Sequence, residues 1–276
     1  MTPDRRSRAA ILMSVVGTVA ACTAPFLWMA ISSVTGTREL YSVPPHWFPH
    51  APTVEHYGKV LFASNIPRYF LNSVIISAAS TAIAVVLAVF ASYGFARFRF
   101  RGKRQAQAFV LVGQLLPTAA IVVPLFITLK HLGLVNTYLG LILVYTILTL
   151  PLSVWMMTSY FRAIPVELEE AAIIDGASRL SILFRITLPL SLPGVVAVVM
   201  YAFVTTWNEF ILALVFAQDS RVKTLPIGIA EFMGEFTTDW GAVMSAALIM
   251  SLPIAAMFFA LQRLFVSGLA AGAVKG

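Results

Sequence analysis

Six stretches of this chain run for 20 or more residues with almost no charge: 9–34, 69–96, 106–129, 138–161, 193–217 and 241–261. About 20 apolar residues are enough for a helix to cross the hydrocarbon core of a bilayer. Only the fifth stretch carries a charge, Glu209. The chain is 59% hydrophobic and 11% charged, against about 25% charged in a soluble domain. No water-soluble fold of 276 residues hides that much apolar surface, so lipid is the expected solvent. The expected fold class is an all-α membrane protein with six transmembrane helices. Pro151 and Pro253 fall inside expected helices and should kink them. The spans leave no room for a separate soluble catalytic domain.

The net charge is +7. In a soluble protein that balance would suggest nucleic acid, but here the basic residues sit in short loops between apolar runs. Thirteen of the 19 fall on one side of the expected bilayer: Arg5, Arg6, Arg8, Arg97, Arg99, Arg101, Lys103, Arg104, Arg162, Arg179, Arg185, Arg263 and Lys275. Arg38, Lys59, Arg68, Lys130, Arg221 and Lys223 fall on the other. The richer side is the cytoplasm by the positive-inside rule, which places both termini there. The expected organisation is a cytoplasmic tail (1–8), a first span (9–34), an extracytoplasmic loop (35–68), a core of five spans (69–262) with a cytoplasmic loop at 162–192, and a second cytoplasmic tail (263–276). The basic and aromatic run from Arg97 to Arg104 reads as a membrane-surface anchor rather than a nucleic-acid platform.

Val19-Ala20-Ala21-Cys22 resembles a lipoprotein cleavage box, but the apolar run continues through Phe26, Leu27, Trp28 and Ile31 where a lipoprotein needs a polar tether. An uncleaved first helix is expected. One cysteine excludes an intrachain disulfide. Cys22 with His46, His50, His56 and His131 draws no four-ligand zinc site at these spacings, so no metal site is expected. The loop at 35–68, with Pro44, Pro45, Trp47, Phe48 and Pro49, reads as an ordered, aromatic-anchored cap. The loop at 218–240 is polar.

The loop at 162–192 is the most informative. Pro165 suits a first helical position, Glu167, Glu169 and Glu170 suit the first turns, and Gly176 suits the stop. A short helix over 165–175 is expected outside the membrane. Leu168, Ala172 and Asp175 share one side of it. The alanines leave little bulk, so another surface can approach the backbone closely. A second short segment, 179–188, leads to Pro189 and the next span. An amphipathic helix resting on the bilayer has the same composition.

From Glu170 the sequence reads Glu-Ala-Ala, then Gly176, then Ile186, Leu188 and Pro189 after nine intervening residues. This resembles the signature of permease subunits in bacterial binding-protein-dependent ABC importers. Asn72-Ser73, Tyr93-Gly94-Phe95-Ala96-Arg97 with Gly102, Gly133-Leu134, Asn136-Thr137, Trp207-Asn208-Glu209-Phe210 and the tail Gly272-Ala273-Val274-Lys275-Gly276 are similar to the carbohydrate branch, the second permease of maltose and glycerol-phosphate importers. The resemblance implies a type I importer permease fold in the bacterial inner membrane. It implies a second homologous permease subunit, two ATPase subunits holding ATP and magnesium, and an extracytoplasmic binding protein that touches loop 218–240. It also implies that Glu170, Ala171, Ala172, Asp175 and Gly176 dock into an ATPase. The chain has no G-x-x-x-x-G-K-[ST] phosphate loop, so no cofactor is expected on it.

Glu209, Asn208, Thr205, Tyr201 and Gln114 are candidates within the spans to line a sugar path, with amide, hydroxyl and carboxylate partners to offer. Hydrogen bonds to neighbouring helices or to a second permease would use the same groups. Asn72 reads as a donor at a helix interface. Rival functions are an autonomous secondary transporter, which needs ion-coupling groups near the midplane, a permease for a non-sugar solute, and a membrane enzyme. No Ser/His/Asp, paired-carboxylate or metal constellation supports the last, and no catalytic residue is expected.

Overall fold

The structure, a computed structural model, describes residues 5–115, 117–234 and 236–273. The tail residues Val274, Lys275 and Gly276 lie outside the described residues. Among the described residues, four helices are long and apolar enough to cross a membrane: Ile11–Ser33, Ile66–Arg97, Tyr138–Ala163 and Trp240–Gln262. Two bent pairs raise the number to six if each pair is one span: Lys103–Gln114 with Thr118–His131, and Arg179–Leu190 with Leu192–Trp207. Among the described residues the extended structure is one isolated bridge, Met233 with Thr238.

The first bent pair falls on the third expected span, whereas the second bends ahead of the fifth, which has a separate interruption of its own. In the third, Pro117 precedes the helix Thr118–His131. Its ring carries no N–H and disfavours helical backbone in the residue before it. In the fifth, the helix Leu192–Trp207 stops and a short helix, Ile211–Phe216, restarts after it. Pro151 and Pro253 instead lie inside unbroken helical assignments, Tyr138–Ala163 and Trp240–Ala273.

The chain forms two compact units, residues 1–67 with 228–252 and residues 68–227 with 253–276. In the first unit, the apolar window of the helix Ile11–Ser33 has none of its residues buried. The loop that follows carries two short helices, Thr37–Leu40 and Glu55–Phe62. It is tied down at its root: the Thr53 amide donates to the Val34 carbonyl at 2.8 Å. His56, buried, bonds the Thr35 carbonyl through Nε2 at 2.8 Å. Trp47 meets Trp28 edge-on with ring centroids 5.5 Å apart. Lys59 pairs with Asp239 in the same unit.

The second unit is organised around Tyr138–Ala163. Leu141, Val144 and Tyr145 of that helix join Ile76, Leu129, Leu212 and Phe216 in one buried cluster. Met157 and Phe161 join Val89, Tyr93, Leu183 and Val198 in another. The helix Leu192–Trp207 packs closely against it because Gly194 has no side chain. A Cβ there would stand 2.4 Å from Cγ of Tyr160. Gly194→Ala should thus lower stability by about 1–3 kcal/mol through overpacking. The thermal midpoint of the purified protein in detergent measures this, and Tyr160→Ala in the same chain should restore part of the loss. An unchanged midpoint in the single variant would refute the close approach.

Candidate functional site

The loop at 162–192 folds as a short helix, Glu167–Ile174, that begins two residues later and ends one residue earlier than the sequence suggests. Gly176 takes φ +82°, a backbone that L side chains rarely adopt. The Gly176 amide donates to the Ile173 carbonyl at 3.0 Å and the Ala177 amide to the Ala172 carbonyl at 2.9 Å. That pattern is a Schellman stop, which uses up the carbonyls a helix end leaves over. Ser178 then caps the next helix, its Oγ accepting from the Ser181 amide at 3.3 Å. Glu170, Ala171, Asp175 and Gly176 are exposed and Ala172 is half-buried. Leu168 and Ile174 are exposed as well, Ile174 at 86%.

The base of this helix is held by Glu169, which the sequence marks only as one of three acids in the first turns. Its carboxylate accepts from Arg97 Nε at 2.8 Å, Thr187 Oγ1 at 2.7 Å and the Tyr93 hydroxyl at 3.1 Å. Arg97 also donates to the Ile164 carbonyl at 3.1 Å. The side chains of Arg97 and Glu169 are only 6% and 3% exposed. Arg179 adds its guanidinium over the Phe98 ring at 5.8 Å. The available signal was helical phase: successive residues turn by about 100°, so Glu169 and Glu170 cannot face the same way.

Other residues that carry the family likeness meet at the opposite end of Ile66–Arg97. Asn72 Nδ2 donates to the Arg221 and Lys223 carbonyls at 3.1 and 2.8 Å, while its Oδ1 accepts from the Tyr138 hydroxyl at 2.6 Å. Asn72 therefore joins Ile66–Arg97 both to a loop, as donor, and to the helix Tyr138–Ala163, as acceptor. Ser73 Oγ accepts from the Leu225 amide at 2.8 Å. Asn136, with φ +60°, accepts through Oδ1 from the Gln218 and Asp219 amides at 2.7 and 3.0 Å. Thr137 caps the helix Tyr138–Ala163 by accepting from the Gly140 amide at 3.0 Å. These side chains fix the first residues of loop 218–240. In the rest of that loop, a cavity of about 770 Å³ opens among Thr37, Tyr41, Lys59, Phe232, Phe236 and Trp240.

The five polar residues of the candidate path separate into two groups. Gln114 and Thr205 lie near the Tyr201 hydroxyl. Gln114 Nε2 also donates to the Leu148 carbonyl at 3.2 Å, one residue past the carbonyl that Pro151 leaves without its amide. Gln114 lines a cavity of about 540 Å³ with Gly113, Thr118, Val144, Pro151 and Leu212. Asn208 and Glu209 instead build the helix interruption. Asn208 Nδ2 donates to the Val204 carbonyl at 2.8 Å. Glu209 accepts from the Leu212 and Ala213 amides at 2.8 and 3.0 Å and from the Tyr145 hydroxyl at 3.1 Å. Its carboxylate caps Ile211–Phe216, as acids do at helix starts.

Two measurements follow. Glu169→Ala leaves Arg97 buried without its counter-charge and should cost about 3–5 kcal/mol. Glu170→Ala, at an exposed site, should change stability by less than about 0.5 kcal/mol. Denaturation in detergent compares them, and equal effects would refute the anchoring role. At the loop root, the Arg221 side chain and amide hold the Asp219 carboxyl at about 2, below its usual 3.8. The depressed value means that this contact is fully present above about pH 4 and is lost as pH falls through about 2. Carbon NMR titration of Asp219 should show that midpoint, moving up towards 3.8 in Arg221→Ala.

The sequence pattern of the family described as "Binding-protein-dependent transport system inner membrane component" matches residues 84–270. The chain is 36% identical over 252 residues to the sulfoquinovosyl glycerol transport system permease protein SmoH of Agrobacterium fabrum, covering 91% of this chain and 88% of that one. It is 39% identical over 270 residues to the trehalose/maltose transport system permease protein MalG of Thermococcus litoralis, covering 97% and 95%. Among solved structures, a chain of a bacterial ABC transporter that imports the acidic polysaccharide alginate has the same fold, with a TM-score of 0.82 at 18% identity and coverage of 96% and 99%. Four to six apolar helices, the anchored helix Glu167–Ile174 and the family pattern agree, and the chain belongs to the family of inner membrane components of binding-protein-dependent transport systems.

Proposed function

We propose that this permease subunit forms half of the path of an ATP-driven importer for a sugar or sugar derivative and receives its driving force through the helix Glu167–Ile174. The carrying observation is that this helix is locked at Glu169 while Glu170, Ala171 and Asp175 stay exposed beside Leu168 and Ile174. A rigid element with an open, partly apolar face is suited to seat in a partner and to move with it. The partner is one of two ATPase subunits, which hold the ATP and magnesium. The sugar assignment rests on the named substrates of the relatives, trehalose and maltose or sulfoquinovosyl glycerol. The substrate meets Gln114, Tyr201 and Thr205, where amide and hydroxyl groups converge beside an open cavity.

The unburied first helix fits lipid or a second, homologous permease as its neighbour. Loop 218–240 receives the extracytoplasmic binding protein. Both termini lie in the cytoplasm, as the loop charges require. Ala171→Trp, adding bulk on the exposed side of the helix, should strip the ATPase subunits from the purified complex while the permease still inserts. Co-purification and substrate-stimulated ATP hydrolysis in proteoliposomes measure this. If the chain alone concentrated solute on an ion gradient, without ATPase subunits, the proposal would fall. The substrate class is tested by binding a panel of sugars to the cognate binding protein.

A further inference from the structure

We propose that Glu39, His46 and His50, in the loop after the first helix, form a binding site for a divalent transition-metal ion of the zinc class. One carboxylate oxygen and one nitrogen from each imidazole lie within 4.8 Å of one another. A tetrahedral ion with metal–ligand distances of about 2.0–2.1 Å sets its ligand atoms about 3.3 Å apart. Two imidazoles and one carboxylate suit zinc, copper or nickel over magnesium or calcium, which prefer all-oxygen sites. Three protein ligands leave a fourth position for water.

An ion pair alone does not account for the cluster. The Glu39 carboxylate already contacts His50 Nδ1 and accepts from the His50 amide at 2.9 Å. Both of those bonds come from His50. Yet the His46 ring stands edge-on to His50 with centroids 4.6 Å apart, and its ligand nitrogen falls within the same cluster. Two histidines gathered on one carboxylate form the donor set that a metal of this class takes.

The scaffold is also suited to the task. Pro44, Pro45 and Pro49 fix φ around both histidines. Trp47, next to His46, packs on Trp28, and the Thr53–Val34 bond closes the loop. His46 and His50 are exposed, so an ion has an entry path. A bound ion would cross-link residue 39 to residues 46 and 50 and stiffen the loop.

The full-length permease, purified in detergent through a tag without histidine and stripped of metal, is titrated with Zn²⁺ against a chromophoric chelator. One ion per chain should bind. His46→Ala, His50→Ala and Glu39→Gln should each weaken binding by about tenfold or more, the scale on which even outer-shell partners matter, and His131→Ala should leave it unchanged. Zinc should also protect the loop from limited proteolysis in the wild type and not in the His46→Ala/His50→Ala double variant, a readout independent of transport. Failure of the wild type to bind stoichiometrically at micromolar zinc would overturn the proposal. So would equal affinity in the double variant, or dependence on one histidine alone.

Discussion

The buried pair of Arg97 and Glu169 is the interaction on which the exposed helix depends. Two charges removed from water cost several kcal/mol each before any partner is counted. Here the carboxylate collects a guanidinium, a threonine hydroxyl and a tyrosine hydroxyl, which offset that penalty. Those donors come from different segments. Tyr93 and Arg97 end the helix Ile66–Arg97, and Thr187 ends the π-helical stretch Leu183–Thr187. A displacement of Glu167–Ile174 is thus shared with both segments through charge-assisted bonds rather than through a flexible link.

The same helix carries a second clamp at its other end, where Asn72 and Ser73 hold residues 221–225. From Asn72 to Arg97 is about 38 Å at 1.5 Å per residue. Both ends of Ile66–Arg97 are therefore pinned to loops by side chains, while its middle packs by apolar contact and small hydroxyls such as Ser80 and Ser92. Tyr138–Ala163 stands beside it and supplies Tyr138 to one clamp and Phe161 to the packing around the other.

The helical, lipid-facing class was legible because apolar length is a one-dimensional property. The turn at Gly176 was legible because only a residue without Cβ adopts its φ cheaply. What the sequence left hidden were pairings across long separations. Glu169 looked like one of three acids at a helix start, and its partner lies 72 residues earlier. Asn208 and Glu209 read as polar residues within one span, since hydropathy ignores whether a side chain bonds its own backbone. Glu39 carries no signal of its own, because a carboxylate seven and eleven residues from two imidazoles has no characteristic spacing. Gln114, Tyr201 and Thr205 were each visible alone, and the fold supplies their convergence.

The helix interruption at Glu209 carries a consequence for anything that competes for its oxygens. Both are already engaged, by the Leu212 and Ala213 amides and the Tyr145 hydroxyl. A proton or a substrate hydroxyl arriving there would compete with the bonds that start Ile211–Phe216. Occupancy at that carboxylate would weaken the start of that helix, so chemistry at this point of the span and the local fold of the chain are coupled.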